Sequence, residues 1–256
     1  MASLTFGQYS LVFNMLSFAV ASMLGAFAFF VMAQKLIGPK YRASMVVSSL
    51  VVLIAGYHYY RIMGSWQAAY TPSPEGYVAS GLFFNDAYRY VDWLLTVPLL
   101  LVELVLVLNL GKDKTGPMLT KLVIAATLMI GLGYPGEIST DFATRNFWGV
   151  ASSIPFFYIL AVLWGQLGQA TENAPEKVRR LFVNTRYLLV ATWGFYPIAY
   201  AIGTWGGPNS ANSLVALQVG YSIADVLAKA LYGIMIFAIA YEKSRHDGSL
   251  PSLKEA

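Results

Sequence analysis

His58, Arg61, Arg89, Asp92, Glu103, Asp225 and Lys229 all fall inside long apolar stretches of this chain. An ionisable group at the centre of a bilayer costs roughly 2.5–3.5 kcal/mol on insertion scales, so each of them needs a reason. Asp92 and Glu103 lie 11 positions apart, which on a helix is close to three full turns and a rise of about 16 Å. They share a face with Thr96 and, roughly one turn before Asp92, Arg89. Two acids stacked this way, one towards each end of a span, suit a directional proton relay. Lys229 follows Asp225 by four residues, so the two face the same way. Burial at mid-span favours a neutral amine, and a neutral amine is what condensation with an aldehyde requires. A structural Lys–Asp ion pair fits the same spacing, and spacing alone leaves both readings open.

His58 is expected at the depth of Asp92, where an imidazole can hydrogen-bond the carboxylate. A histidine satisfied by a backbone carbonyl or by water is the plainer reading. Arg61, on a neighbouring face, is placed to extend outward along its aliphatic stem. Trp193, Tyr196 and Tyr200 follow i, i+3, i+7 spacing around Pro197, and Trp93 adjoins Asp92. Such a stripe serves as ordinary packing, or as a clamp for a flat, conjugated ligand on Lys229.

The elements that position these groups follow from composition. The 256 residues are 57% hydrophobic and only 12% charged, about half the charge of a soluble globular protein, with a mean hydropathy of +0.56. That excludes a soluble enzyme, a disordered chain and a collagen-like fibre. With no cysteine, disulfide scaffolds, zinc–thiolate sites, iron–sulfur clusters and thiol catalysis are excluded too, and no metal centre is expected. Seven stretches are long enough to cross a membrane as helices: about 9–34, 43–66, 84–109, 118–136, 146–169, 179–204 and 213–241. They lack the alternation of barrel strands. The fold class is therefore an all-α membrane protein of seven transmembrane helices, forming one domain over residues 1–256. Breakers fall between the spans at Gly38-Pro39, Pro72-Ser73-Pro74, Gly111 with Gly116-Pro117, Gly133 to Gly136, and Gly206-Gly207-Pro208.

The net charge of +4 comes from 17 Lys and Arg, of which 13 flank the first, third and fifth turns or the tail. These are Lys35, Lys40, Arg42, Lys112, Lys114, Lys121, Lys177, Arg179, Arg180, Arg186, Lys243, Arg245 and Lys254. The positive-inside rule then places the N-terminus outside and the C-terminus in the cytoplasm. A bilayer, and not nucleic acid, is the partner that this basic distribution implies. No charged leader or cleavage site precedes the first span, which is expected to remain in place.

The run Arg89-Tyr90-Val91-Asp92-Trp93-Leu94-Leu95-Thr96-Val97-Pro98 resembles the third-helix signature of microbial rhodopsins that pump protons. Asp225-Val226-Leu227-Ala228-Lys229 resembles their retinal attachment sequence, and Trp193-Gly194-Phe195-Tyr196-Pro197 resembles the sixth-helix part of the retinal pocket. In order and spacing the resemblance covers essentially the whole chain. Asp92, Thr96 and Glu103 are similar to the pattern of the proteorhodopsin and xanthorhodopsin branch.

The resemblance implies all-trans retinal joined to Lys229 as a protonated Schiff base, with Asp92 as counterion and proton acceptor. It makes Asp225 the second counterion, Glu103 the cytoplasmic donor and His58 the partner of Asp92. Arg89 joins the charge balance, Thr96 orients the Asp92 carboxylate, and Leu100 matches a tuning position whose leucine form goes with green absorption. Trp93, Trp193, Tyr196, Pro197 and Tyr200 would line the retinal pocket. Gly149, in Trp148-Gly149-Val150, resembles the glycine that opens a lipid-facing window to a carotenoid antenna; close helix packing is the plainer reason for a glycine there.

The loop from Gly203 to Asn212 has no acidic residue, so no proton-release group is assigned to it. The function implied is a light-driven outward proton pump in a cell membrane, such as a bacterial inner membrane, in a homo-oligomer (pentamer or trimer). A photosensor signalling through a partner is the competing reading within the family, and Glu103 argues against it, since a sensor has little need of a fast internal donor. A pigment-free proton-coupled transporter is the reading outside it.

Overall fold

A computed structural model describes residues 2–110, 112–172, 174–206 and 210–251; Gly111, the Gly207-Pro208 turn and Lys254 lie outside the described residues. The first span is α1 (Phe6–Ala33), opened by a reciprocal cap in which the Gln8 amide N–H donates to Thr5 Oγ1 and the Thr5 amide N–H donates to Gln8 Oε1. After two short 3₁₀ turns come α2 (Arg42–Ala69) and a hairpin of β1 (Tyr70–Ser73) and β2 (Gly76–Ala79). Then follow α3 (Tyr88–Leu108), α4 (Lys112–Glu137) and α5 (Phe142–Glu172). The sixth crossing is α6 (Glu176–Trp193) plus α7 (Phe195–Trp205). The seventh is α8 (Ala211–Asp225), a π-helical turn (Val226–Leu231) and α9 (Tyr232–His246).

Seven crossings are present, as expected, but the sixth is not the continuous helix that residues 179–204 suggested. Pro197 has no N–H for the Trp193 carbonyl, and its ring crowds that oxygen. The helix gives way just before, at Gly194, where a Cβ would lie 2.6 Å from the Val190 carbonyl oxygen. Among the described residues six helices are each long and apolar enough to cross a membrane. The break, together with Lys177, Arg179, Arg180 and Arg186 on α6, keeps the sixth crossing out of that set.

Two further expectations change. Gly133 to Gly136, and Gly116-Pro117, lie within α4 and not in turns; neighbouring helices let a membrane helix tolerate such residues. The Pro72–Pro74 region is the tip of a hairpin, which the sequence reading did not foresee. Its strand β2 bonds the N-terminal segment, with Leu4 and Tyr77 exchanging main-chain hydrogen bonds of 2.8 Å. Gly76 permits this approach: its φ is +151°, and a Cβ there would sit 2.2 Å from the Leu4 carbonyl oxygen.

The hairpin and the N-terminus therefore share one end of the bundle. At the other end the C-terminal turn of α9 holds the α1–α2 connection. The Gly38 N–H donates to Ser244 Oγ (2.9 Å), and Tyr41 Oη donates to Asp247 Oδ2 (2.8 Å). Across the bundle wall, Phe18, Leu50, Leu128 and Ile154 are exposed, while Ser44, Ser48, Gln218, Ser222 and the charged residues of the spans other than Arg61 are buried. An apolar exterior around a polar interior is the arrangement a hydrocarbon solvent selects. In their most apolar stretches, α3 is 61% buried and α5 only 17%, so α3 runs through the centre and α5 along the margin.

Candidate functional site

Three elements converge at mid-bundle. Lys229, on the π-helical turn, points its Nζ to Asp225 Oδ1 (2.5 Å) and to Asp92 Oδ2 of α3 (3.0 Å). All three are almost fully buried, so the amine is the cation of a closed triplet. The 225/229 spacing does bring the two groups to ion-pair distance, and a second acid, from another helix, joins them.

The two carboxylates are held differently. Asp225 accepts from Tyr59 Oη (2.6 Å) on α2, Tyr196 Oη (2.5 Å) on α7 and Trp93 Nε1 (3.1 Å) on α3, in addition to Lys229. Neither oxygen of Asp92 has a geometrically sound hydrogen bond within the described residues; its contacts are the ion pair to Lys229 and a longer approach to His58. An acid bonded on every side stays an anion, whereas one with free lone pairs can take a proton.

The expected His58–Asp92 hydrogen bond is not formed. His58 Nδ1 lies 2.9 Å from the Ile54 carbonyl one turn back and 3.9 Å from Asp92 Oδ1, which is electrostatic proximity only. Thr96 also differs from expectation. Its hydroxyl donates to the Asp92 main-chain carbonyl (2.8 Å), not to the carboxylate, because i→i−4 back-bonding is the nearest acceptor on a helix. Arg89 likewise makes no direct pair with Asp92 or Asp225. Its guanidinium donates to Gln218 Oε1 (2.6 Å) and rests between the Tyr59 and Tyr221 rings, each centroid 5.5 Å away. Gln218 passes the contact on to Asp86 (3.1 Å). Arg61, as expected, reaches the exterior, bonding Tyr57 and Tyr88 hydroxyls.

Glu103 occupies the same face of α3 towards the C-terminal end. It is buried, Ser48 Oγ contacts its Oε2 at 2.5 Å, and its Oε1 has no hydrogen-bond partner among the described residues. The same Ser48 hydroxyl also bonds the Ser44 carbonyl (3.1 Å). One hydroxyl hydrogen cannot serve both acceptors, so the pair is satisfied when Glu103 is a carboxylic acid that donates to Ser48.

From Lys229 a cavity of about 260 Å³ runs outward to the bundle wall. Trp93, Leu100, Trp193, Tyr196, Pro197 and Tyr200, all expected at a ligand, line it. Trp93 stands edge-on to Tyr196 and Tyr221, with centroids at 5.2 and 5.3 Å. Gly149 borders the far end, where a Cβ would come 2.8 Å from the Tyr200 ring. An apolar slot with the Lys229 amine at its base fits a long, flat polyene aldehyde such as retinal. Its aromatic walls and the glycine at its mouth fit the same shape.

Sequence reasoning did not single out Tyr59, Gln218, Tyr221, Ser48 or the Glu137–Arg145 corner. Arg145, in the first turn of α5, is buried, donating to the Glu137 and Ser139 carbonyls and to Thr204, with the Glu137 carboxylate 3.9 Å away. A signal did exist on the seventh crossing, since Gln218, Ser222, Asp225 and Lys229 repeat at helical spacing.

This geometry defines a seven-crossing helical bundle with an apolar slot beside a buried lysine. Residues 11–243 match the bacteriorhodopsin-like protein family, and the chain belongs to that family as a microbial rhodopsin and multi-pass membrane protein. Among solved structures it is similar to xanthorhodopsin, described as a light-driven ion pump with dual chromophore. The identity is 56%, with 97% of this chain and 99% of that one covered and a TM-score of 0.92. It is also similar to a thermophilic rhodopsin, at 52% identity, the same coverages and a TM-score of 0.93. The green-light absorbing proteorhodopsin of Gamma-proteobacterium EBAC31A08 is 29% identical over 226 residues, covering 88% of this chain and 84% of that protein.

Proposed function

We propose that this rhodopsin is a light-driven proton pump, moving protons from the C-terminal end of the bundle to the N-terminal end, outward from the cytoplasm. The observation that carries the reading is the asymmetric triplet: Lys229 between a saturated Asp225 and an unsaturated Asp92, with Glu103 held apart on the other side. Bound covalently at Lys229, retinal would supply light absorption and a change of shape that swings the proton on the lysine nitrogen.

Asp225 and Asp92 together offset the charges of Lys229 and Arg89, as a low-dielectric site requires. Asp92, with free lone pairs about 3 Å from Lys229 Nζ, takes the proton. Asp225, fixed by Tyr59, Tyr196 and Trp93, stays ionised and keeps the lysine nitrogen oriented. The Arg89–Gln218–Asp86 ladder provides polar groups between Asp92 and the N-terminal end. Glu103, in its acid form on Ser48, returns a proton to Lys229 and refills from the cytoplasm. Leu100 lines the slot with an apolar side chain, which supports green rather than blue absorption.

The same slot borders Gly149 beside the exposed Val150 and Trp205, and this supports a carotenoid antenna; xanthorhodopsin is described as having a dual chromophore. Illuminated cells carrying the protein should acidify unbuffered medium, and a protonophore should abolish the signal. Illumination without any pH change would overturn the pumping reading.

A further inference from the structure

The C-terminal end of the bundle holds one cation that the mechanism above does not use. Lys243, near the end of α9, turns inward, and its Nζ donates to the main-chain carbonyls of Val107 (2.9 Å) and Leu108 (3.0 Å). These are carbonyls of the last turn of α3, which have no partner of their own in a helix. An ammonium there is favoured twice, by hydrogen bonding and by the negative end of the helix dipole. The chain leaves α3 through Asn109 in the left-handed conformation (φ 53°, ψ 50°). The Lys243 ammonium is further flanked by the rings of Tyr41 and Phe182, at 5.4 and 5.9 Å from their centroids. It is thus gripped by α3, by the turn before α2 and by α6.

Val107 is the residue four after Glu103, one helical turn and about 6 Å further along α3. Val107, Ile239 and Ala240, on the two helices that the Lys243 contact joins, are all fully buried. The Lys243 ammonium thus sits on the end of α3 one turn beyond the level of Glu103.

We infer that Lys243 is the cytoplasmic plug of the proton-uptake path: a positioning residue whose grip on the end of α3 keeps Glu103 sealed from bulk water. Refilling of Glu103 then requires the ammonium to leave the Val107 and Leu108 carbonyls, by displacement of α6 with Phe182 or of the α9 end. The positive charge also keeps hydronium away from Glu103 while the plug is in place. The inference rests on the proposed uptake role of Glu103 for its meaning, but the seal itself is a property of the dark state.

The test is the rate at which the Glu103 carboxylic acid exchanges its proton for deuterium in the dark, in retinal-bound protein in vesicles. The rate is followed by the infrared carbonyl band that E103Q removes. In K243M the exchange should be about tenfold faster or more, given the loss of two charge-assisted hydrogen bonds. In K243R, which keeps the charge and the donors, it should stay near the parent rate. S244A loosens the same corner by removing the Gly38 contact without touching the plug, and it should also leave exchange unchanged. Exchange in K243M within twofold of the parent, or equal acceleration in S244A, would overturn the plug. Loss of the visible band in K243M would show misfolding; K243Q, which removes the charge but keeps a polar side chain, then takes its place under the same criterion. A normal photocycle in E103Q would overturn the donor role of Glu103 while leaving the dark-exchange result to judge the seal independently.

Discussion

The two halves of the interior are built on opposite principles. Towards the N-terminal end, Asp92, Asp225, Arg89, Gln218 and Asp86 form a graded series of charged and polar groups, threaded by tyrosine hydroxyls. Towards the C-terminal end, Glu103 of α3 has a single side-chain hydrogen-bond partner among the described residues, Ser48 of α2, and both are buried. The first arrangement lets a charge relax as it moves outward, because a dipole is always close. The second offers few dipoles, which suits the proposed role of its acid in handing a proton to Lys229. Direction is thus encoded as a difference in polarity around two carboxylates on one helix face.

Lys229→Ala should break the comparison altogether: added retinal should give no visible band, and both acids would lose their shared cation. A visible band in that variant would mean that the slot holds its ligand elsewhere. Asp92→Asn removes the acceptor in the polar half. Outward transport should fall by about 10²–10⁴-fold, the range for loss of a positioned proton-transfer group, with a red-shifted spectrum; transport near the parent rate would reassign the acceptor. Glu103→Gln tests the dry half, and recovery of the dark state should slow by about 10²-fold, measured by flash absorption, while the first proton transfer keeps its rate.

Ser48→Ala should sharpen the contrast with a smaller effect, roughly fivefold on that recovery, as one hydrogen bond of about 1 kcal/mol implies. Gly149→Trp is expected to leave pumping intact and to remove any energy transfer from an added carotenoid, read in the fluorescence excitation spectrum. Energy transfer that survives the substitution would place the antenna elsewhere.

The seven crossings could be read directly, because a bilayer forces each span to be apolar over its whole length. Asp92, Glu103, Asp225 and Lys229 were legible for the complementary reason: a charge in such a span is conspicuous. What escaped was polar chemistry disguised as packing. Tyr59 lies on the inner stripe of α2 with Ala55, Ile62 and Trp66 and looks like one more core aromatic. Only the fold shows its hydroxyl on Asp225.

His58 follows its plainer reading, a backbone carbonyl, and Thr96 bonds a main-chain carbonyl, because each has an acceptor closer than the Asp92 carboxylate. Helical spacing fixes which face a residue occupies but not which neighbour reaches it first. The hairpin between α2 and α3 was hidden because Pro72 and Pro74 signal a turn without showing that strands flank it. Gly133 to Gly136 misled in the other direction, since residues that end helices in water persist within them when neighbouring helices supply the packing.

The π-helical turn from Val226 to Leu231 bears on how the molecule withstands its own cycle. The Tyr232 amide donates to the Leu227 and Lys229 carbonyls, so the main chain around the reactive lysine departs from the usual four-residue ladder. A pull on the lysine nitrogen can then be absorbed by rewinding a single turn, while α8 and α9 remain seated against their neighbours. The joint behaves like a swivel set into a rod, letting the working atom turn many times without loosening either end.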